Sequence, residues 1–453
     1  MNEEIFLNNL CNIFNKEDIR TELEYKEKYR NDWSTDFDSN PIAIVFPKES
    51  DQLANVIKLC NEFNYPIVGS GGRTGLSGGA SALSNELIVS FEKMDKILDF
   101  DEISNTVLCQ PGLITANLHS FADDKDLYYP VDFSSVGSSQ IGGNIATNAG
   151  GIRVIKYGST AKYVSGIEVV TGDGKSLSMD DMLVKNATGP DLKNFFIASE
   201  GIFGLMTSCR MRLIKKPKET SVILLGFNKI SSLDEIMKLV LNFDLEAAEF
   251  FTNNSLFQVN NEFEHVKIDH LDNNYFVILE YCVDNKFSGV LEKIYDSKLV
   301  DEVLISSNNT QKDSIWDYRM LISESISRKS PIKFDIAVPI KNTTKLIYEL
   351  ESFFNNNDKF ELVLFGHVGD GNLHINILKN KNYSIEDIYK LEKKVHSLVL
   401  ELNGTLSAEH GIGANKLKSF MSYEENAKLD LLKNLKNHFD PMWILNPGKL
   451  IEK

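Results

Sequence analysis

The chain has 453 residues, 42% of them hydrophobic, which suits two or three globular cores rather than one. Its net charge of −16 argues against nucleic acid as a main partner and offers no attraction to anionic lipid, since both need a basic surface. Five cysteines scattered without a Cys-x-x-Cys pair give no framework for an iron–sulfur cluster or a structural zinc, and reduced thiols are expected.

Taken in chain order, residues 1–35 read as a charged helical arm. Its start, Met1-Asn2-Glu3-Glu4-Ile5, lacks the basic-then-apolar layout of a signal peptide. No apolar run approaches the roughly 20 residues of a bilayer span. The expectation is a cytoplasmic protein, peripheral to an inner membrane at most. Residues 36–215 form the next domain. Short β-like runs there (Ala43–Phe46, Glu86–Val89, Thr106–Cys109, Gly166–Val170) alternate with helical segments such as 51–63. Nineteen of the 28 glycines lie between Gly69 and Gly204, so the backbone repeatedly needs positive φ or close approach to something. A long, flat, phosphate-bearing ligand explains such a concentration. From 216 to 405 the chain reads as a second, α+β domain with an antiparallel sheet. Strands such as Val222–Leu225 and Tyr275–Leu279 precede amphipathic helices over 286–297 and 341–357. Residues 254–273 and 307–312 are polar enough to be loops, and 406–453 form a C-terminal segment with a turn-rich tail.

The first glycine cluster, Gly69-Ser70-Gly71-Gly72-Arg73-Thr74-Gly75-Leu76-Ser77-Gly78-Gly79, has no Gly-Lys-Ser/Thr and is not a P-loop. It also misses the dinucleotide fingerprint, because Thr74 stands where glycine or alanine is required. Its successive amides can still form an anion-binding nest, helped by the Arg73, Thr74 and Ser77 side chains; a glycine-rich surface loop is the alternative. The second cluster, Gly137 to Gly151, is dominated by small residues that leave room for a bulky planar group. Asn144, Thr147 and Asn148 supply neutral hydrogen-bonding groups there. Ser199-Glu200-Gly201-Ile202-Phe203-Gly204 repeats the theme just before a strand.

In Gly366-His367-Val368-Gly369-Asp370-Gly371-Asn372-Leu373-His374-Ile375 two histidines flank an Asp-Gly turn. A two-residue turn at Asp370-Gly371 pairs His367 with His374, with Cβ atoms about 5 Å apart on one face. The imidazoles then converge on one point, as a metal ion requires, and Asn376 shares that face. The alternative is an ordinary hairpin with two locally bonded histidines. Further on, Ser407-Ala408-Glu409-His410-Gly411-Ile412-Gly413 sets a carboxylate beside a third histidine in a glycine-flanked loop. Two histidines and a glutamate match a catalytic divalent-metal shell with one position open to substrate. Glu409 can then bind the metal while His410 faces the reacting atom. The other five histidines (His119, His265, His270, His396, His438) have no such company and read as surface or core residues.

Gly69–Gly75, Gly142-Gly143-Asn144, Asn148–Gly151, Ser199–Gly201, His367–His374, Glu409–Gly413 and Asn446-Pro447-Gly448-Lys449 occur in this order. Together they resemble the FAD-dependent 2-hydroxy acid dehydrogenases of the vanillyl-alcohol oxidase superfamily, from about Pro41 to Leu450. The resemblance implies an α+β fold, with a two-subdomain FAD-binding domain and an α+β substrate (cap) domain. It implies that Gly69, Ser70, Gly71, Gly72, Arg73, Thr74, Gly75 and Ser77 bind the FAD pyrophosphate. The rest of the cofactor would lie on Pro130, Asp132, Ser135, Gly142, Gly143, Asn144, Thr147, Asn148, Gly150, Glu200, Gly201 and Asn446. Covalently flavinylated relatives carry a histidine in the first loop; Arg73 stands there, so FAD is expected to be non-covalent. By the same resemblance His367, His374 and Glu409 hold a divalent ion, zinc or manganese, and His410 is the base. Arg319, Ser323 and Lys333 take the substrate carboxylate, with Asn376 beside them. Ser323 replaces a threonine of the family pattern, and Phe133 stands where many relatives have proline.

The implied reaction is oxidation of a D-2-hydroxy acid to the 2-oxo acid, with the hydroxyl proton passing to His410 and the hydride to flavin. Without iron–sulfur cysteines, electrons must go directly to an external acceptor: a quinone, a cytochrome or an electron-transfer flavoprotein. D-lactate leads as substrate, with D-2-hydroxyglutarate and glycolate behind it, and a homodimer is expected. A metallohydrolase without flavin is the rival from another class, but it leaves three glycine-rich segments idle. A non-catalytic flavin-binding module leaves the metal ligands without a role.

Overall fold

The computed structural model describes residues 2–34, 37–266, 271–283, 287–355, 357–380 and 382–453. They form two compact units: Met1–Gly150 with Ser159–Lys216 and Glu409–Lys453, and Gly151–Gly158 with Pro217–Ala408.

In the first unit β1 (Ile19–Arg20), β2 (Ala43–Val45), β3 (Ile67–Ser70) and β4 (Leu87–Ser90) make a sheet in the order β1-β2-β4-β3. The pairs β2–β4 and β3–β4 are parallel. A second, antiparallel sheet joins β5 (Ile97–Asp101), β6 (Thr106–Cys109), β8 (Val164–Thr171), β9 (Ser176–Met179) and β10 (Gly204–Arg212) in the order β5-β6-β10-β8-β9. A short pair, β7 (Leu127–Tyr128) with β11 (Ile214–Lys215), completes the unit. Helix Ser50–Phe63 connects β2 to β3 and buries Leu53, Val56, Ile57 and Cys60, an apolar stripe of helical period. The N-terminal residues belong to this core rather than to an outlying arm. Phe6, Leu10 and Phe14 recur every fourth residue and pack with Ile42, Leu53 and Leu445; the charge around that sparse stripe masked it in the sequence.

The second unit is built on one antiparallel sheet of seven strands. They are β12 (Thr220–Phe227), β13 (Leu245–Thr252), β14 (Tyr275–Cys282), β15 (Glu302–Ile305), β16 (Ile332–Ala337), β17 (Phe360–His367) and β18 (Asn372–Lys379), in the order β15-β12-β14-β13-β17-β18-β16. One face packs Phe250, Val277, Leu364, Leu373 and Ile375 under the helices Ser232–Val240, Phe287–Ser297, Thr343–Phe354 and Ile385–Glu401. The other packs Phe251, Phe276, Ile278 and Phe365 under the helices Asn253–Glu262, Asn309–Met320 and Ile322–Ser327.

Two stretches expected as loops are largely helical. Thr252 Oγ1 accepts from Ser255 N and caps helix Asn253–Glu262, while Asn308 Oδ1 accepts from Gln311 N at 2.9 Å and caps Asn309–Met320. Their polarity is capping and solvent-face chemistry, not loop composition. Residues 267–270, which include His270, and Lys286 at the start of the expected 286–297 helix lie outside the described residues. Gly151–Gly158, expected within the glycine-rich domain, groups with the second unit. Arg153 pairs with buried Glu280 at 3.1 Å, and Lys156 lies 3.6 Å from Glu246.

Candidate functional site

In the first unit the glycine segments meet backbone to backbone. A Cβ on Gly72 would lie 2.1 Å from the Ser138 carbonyl oxygen, so only glycine permits that approach. Gly71 lies against Gly143, its ideal Cβ 3.8 Å from the Gly143 Cα. Where these strips meet, the Ser70 hydroxyl, the Gln140 amide oxygen and Arg73 Nη1 are buried without a hydrogen-bond partner among the described residues. Buried polar atoms of this kind call for a polar ligand, so the cradle fits a phosphate-bearing flavin cofactor. Arg73 itself is held in a left-handed conformation (φ 54°). Its guanidinium lies over the Tyr29 ring, 4.1 Å from the centroid, and Nη2 pairs with Glu92 at 3.0 Å. Tyr29 donates to the same carboxylate at 2.6 Å.

Several side chains expected to line the cofactor also tie the cradle together. Asn144 Nδ2 donates to Thr115 Oγ1 at 2.7 Å, Thr147 Oγ1 donates to Gly143 O, and Asn148 Oδ1 accepts from Ala161 N. Asn446 Oδ1 accepts from Gly69 N at 3.0 Å and its Nδ2 donates to Glu200 O at 2.5 Å, joining β3 to the 199–201 turn. Ser135 O accepts from Ser138 N and Ser139 N. Pro130 is buried, and Asp132, Gly142, Thr74 and Gly150 lie in or beside the same loops. Glu200 accepts from Ile412 N and Gly413 N at 2.7 Å each, and the Ser77 carbonyl accepts from Ala414 N and Asn415 N. The loop that carries Glu409 and His410 is thus fastened to two of the glycine-rich segments.

In the second unit β17 and β18 pair from Phe360↔Lys379 to His367↔Asn372. The connection is therefore the four residues Val368–Gly371, not two, and His374 faces Phe365 rather than His367. Asp370 N and Gly371 N both donate to His367 O, and Asp370 Oδ1 accepts from Asn372 N at 3.0 Å, an Asx-type closure that favours the wider turn. The slip from the expected register is two residues, an even number, so both imidazoles keep the same face as diagonal neighbours. Their Nε2 atoms lie 3.3 Å apart.

A buried carboxylate stands behind each ring. His367 Nδ1 meets Glu249 Oε1 at 2.5 Å; a carboxylate can only accept, so Nδ1 donates and the neutral ring keeps its lone pair on Nε2. His374 Nδ1 stands 3.6 Å from Asp335 Oδ1, on the facing residue of β16. Two nitrogens bound tetrahedrally at about 2.05 Å from one ion are about 3.4 Å apart, so this donor set fits a divalent metal. Glu249 also holds Arg319, whose Nε lies 2.7 Å from Oε2 as an ion pair while its guanidinium covers the Phe365 ring at 4.6 Å. Arg319 is buried, and its Nε edge is committed to protein. Asn376 is buried opposite Lys333. Lys333 is exposed, but neighbouring protein partly desolvates its amino group and lowers its pKa from the ordinary lysine range. Lys333, Asp335, His374 and Asn376 share one sheet face by the period of two. Ser323, one helical turn past Arg319, is exposed. Asp335 also accepts from Asn372 Nδ2 at 2.9 Å and from Ala408 N at 3.2 Å, and Glu409 follows Ala408 by one peptide.

Glu249, Asp335 and Asn372 were given no role in the sequence. The available signal was a glutamate inside the wholly buried strand β13 and, for Asp335, its two-residue spacing from Lys333.

The family described as FAD linked oxidases, C-terminal domain, matches residues 216–450, more than half of the chain, and an FAD binding domain matches 41–180. A D-2-hydroxyglutarate dehydrogenase of Stutzerimonas stutzeri is 38% identical over 465 residues, covering 99% of this chain and 99% of its own. Another, of Xanthomonas citri pv. viticola, is 36% identical, covering 96% of this chain and 94% of its own. The mitochondrial D-2-hydroxyglutarate dehydrogenase of Arabidopsis thaliana is 32% identical, covering 97% and 80%. Among solved structures, the 4-ethylphenol oxidase of Gulosibacter chungangensis shares the fold at TM-score 0.76 and 16% identity, covering 99% and 97%. A p-cresol methylhydroxylase does so at TM-score 0.75 and 14% identity, covering 100% and 97%. An FAD binding domain and full-length dehydrogenase relatives speak against the metallohydrolase reading, and the chain belongs to the FAD-linked D-2-hydroxy acid dehydrogenases.

Proposed function

We propose that this enzyme oxidises D-2-hydroxyglutarate to 2-oxoglutarate and hands the electrons to an external acceptor, a quinone, cytochrome or electron-transfer flavoprotein. The observation that carries the substrate is the full-length identity to proteins named D-2-hydroxyglutarate dehydrogenase, 38% over 99% of both chains. This displaces D-lactate, the first expectation, which rested on no residue of the chain. A dicarboxylate also suits a sheet and helix pair that present two cations, Arg319 and Lys333, near two histidines. D-lactate and glycolate have one carboxylate and need only one.

His367 and His374 would hold a divalent ion, zinc or manganese, with Glu409 as third ligand. The support is the convergence of the two Nε2 atoms and the anchoring of Ala408, one residue before Glu409, on Asp335. When bound, non-covalent FAD supplies the two-electron acceptor for the C2 hydride, and the ion makes the C2 hydroxyl a stronger acid. His410 takes the hydroxyl proton as general base. Arg319 meets a substrate carboxylate with its Nη edge, because Glu249 occupies Nε. Lys333 adds a point charge, and Ser323 and Asn376 add hydrogen-bonding groups. Glu249 fixes the tautomer and ring plane of His367, and Asp335 places a negative charge 3.6 Å behind His374, which favours a lone pair directed forward before substrate arrives.

The test is a panel of D-2-hydroxyglutarate, D-lactate and glycolate with a dye acceptor. The purified enzyme should be yellow and show its highest kcat/KM with D-2-hydroxyglutarate. A higher value with D-lactate would refute the substrate assignment, and a colourless, flavin-free active enzyme would refute the mechanism.

A further inference from the structure

We infer that Glu200 is a positioning residue that locks the His410 loop to the flavin cradle, rather than a residue that binds the cofactor. The inference rests on the reading of His410 as the base.

Every hydrogen-bonding group of Glu200 is engaged inside the first unit. Its N–H donates to Ala146 O at 2.8 Å and its carbonyl accepts from Asn446 Nδ2 at 2.5 Å. One carboxylate oxygen accepts from Ile412 N and the other from Gly413 N, each at 2.7 Å. The residue sits in a left-handed conformation, φ 52°, which a non-glycine side chain adopts only where its surroundings over-determine it. Burial raises the Glu200 pKa, while the two amides and the charges of Lys416 and Lys449 act in the opposite direction. A buried carboxylate persists only where such bonds satisfy it.

The far side of the contact is shaped to match. A Cβ on Gly411 would lie 2.8 Å from Glu200 Oε1, and one on Gly413 would lie 2.1 Å from the Ser77 carbonyl. Both glycines have positive φ, 74° and 53°. Two glycines within three residues make this loop entropically costly to order. The Glu200 carboxylate and the Ser77 carbonyl help to order it, and His410 lies between Glu409 and the first of those glycines. A base displaced by about 1 Å loses on the order of a hundredfold in rate.

Glu200→Gln is isosteric but turns an amide N–H toward a backbone N–H, so one clamp bond is replaced by a donor–donor clash. Expected are a retained FAD spectrum, flavin reduction slowed by about tenfold to a hundredfold with KM little changed, and faster hydrogen exchange at the 412 and 413 amides. Gly411→Ala disturbs the same contact from the loop side with Glu200 intact and should give the same signature. Loss of FAD in either variant, unchanged exchange at 412 and 413, or flavin reduction within about twofold of wild type overturns the inference. His410→Ala serves as the separate control: near-normal turnover there refutes the base assignment, while amide exchange in Glu200→Gln still decides whether the clamp exists.

Discussion

The two units prepare for a ligand in opposite ways. In the first, recognition is built from backbone: glycines such as Gly72 let segments approach where a Cβ would collide at 2.1 Å, and asparagine side chains brace the loops. In the second, it is built from polar and charged side chains on a sheet. His367, His374, Glu249 and Asp335 occupy fixed strand registers, and Arg319 reaches Glu249 from the helix Asn309–Met320. The difference predicts different failures. Adding volume to the first unit should loosen the cofactor, whereas removing a single polar atom from the second should stop chemistry and leave the cofactor in place.

The largest effect is expected from His374→Ala in the second unit and from His410→Ala, whose loop belongs to the first unit but serves the chemistry. Each should slow flavin reduction by on the order of a thousandfold while the flavin absorbance stays; stopped-flow reduction read against the visible spectrum checks both. Glu249→Gln should come next, with about tenfold to a hundredfold lower metal affinity, because the His367 ring loses the carboxylate that fixes its tautomer. Metal content after dialysis against a graded chelator measures it. Gly72→Ala should act on the other unit alone. Its Cβ must displace the Ser138 carbonyl, at about 1–3 kcal/mol of overpacking, and titration of apoenzyme with FAD should record weaker binding. The smallest effect expected is a pH dependence in substrate binding. Partial desolvation lowers the pKa of Lys333, an otherwise exposed residue, so its positive charge is lost as pH rises through a value below the ordinary lysine range. KM for a dicarboxylate should therefore climb at alkaline pH, and Lys333→Arg, charged to higher pH, should flatten that climb. A wild-type KM that stays constant to pH 11 would remove Lys333 from the substrate site.

The same contrast explains what could be read from the residues alone. The histidine hairpin was legible because strand period and an Asp-Gly turn put both rings on one face, and that conclusion survived an error in the turn. The loop has four residues instead of two, and only the even slip preserved the shared face. Glu249 and Asp335 were not legible: which buried carboxylate meets which imidazole depends on the strand order β13-β17-β18-β16, and order in a sheet is set by long-range packing. In the first unit the glycine loops announced close backbone approach but not which segments approach. Residues read as cofactor ligands, among them Asn144, Asn148 and Glu200, also brace neighbouring loops, a role the sequence did not announce. The amphipathic stripe Phe6-Leu10-Phe14 was hidden by the charge around it.

The central claim is that His367 and His374 of the second unit, with Glu409 and His410 of the C-terminal loop, activate a 2-hydroxy acid through a divalent ion while the glycine-rich segments of the first unit keep the flavin. Anaerobic single-turnover flavin reduction by D-2-hydroxyglutarate, before and after chelation and with zinc or manganese returned, tests it directly. The account predicts that the chelated enzyme stays yellow and unreduced on mixing, and that adding back the ion restores reduction. Full-speed bleaching of the flavin in the metal-stripped enzyme would contradict it.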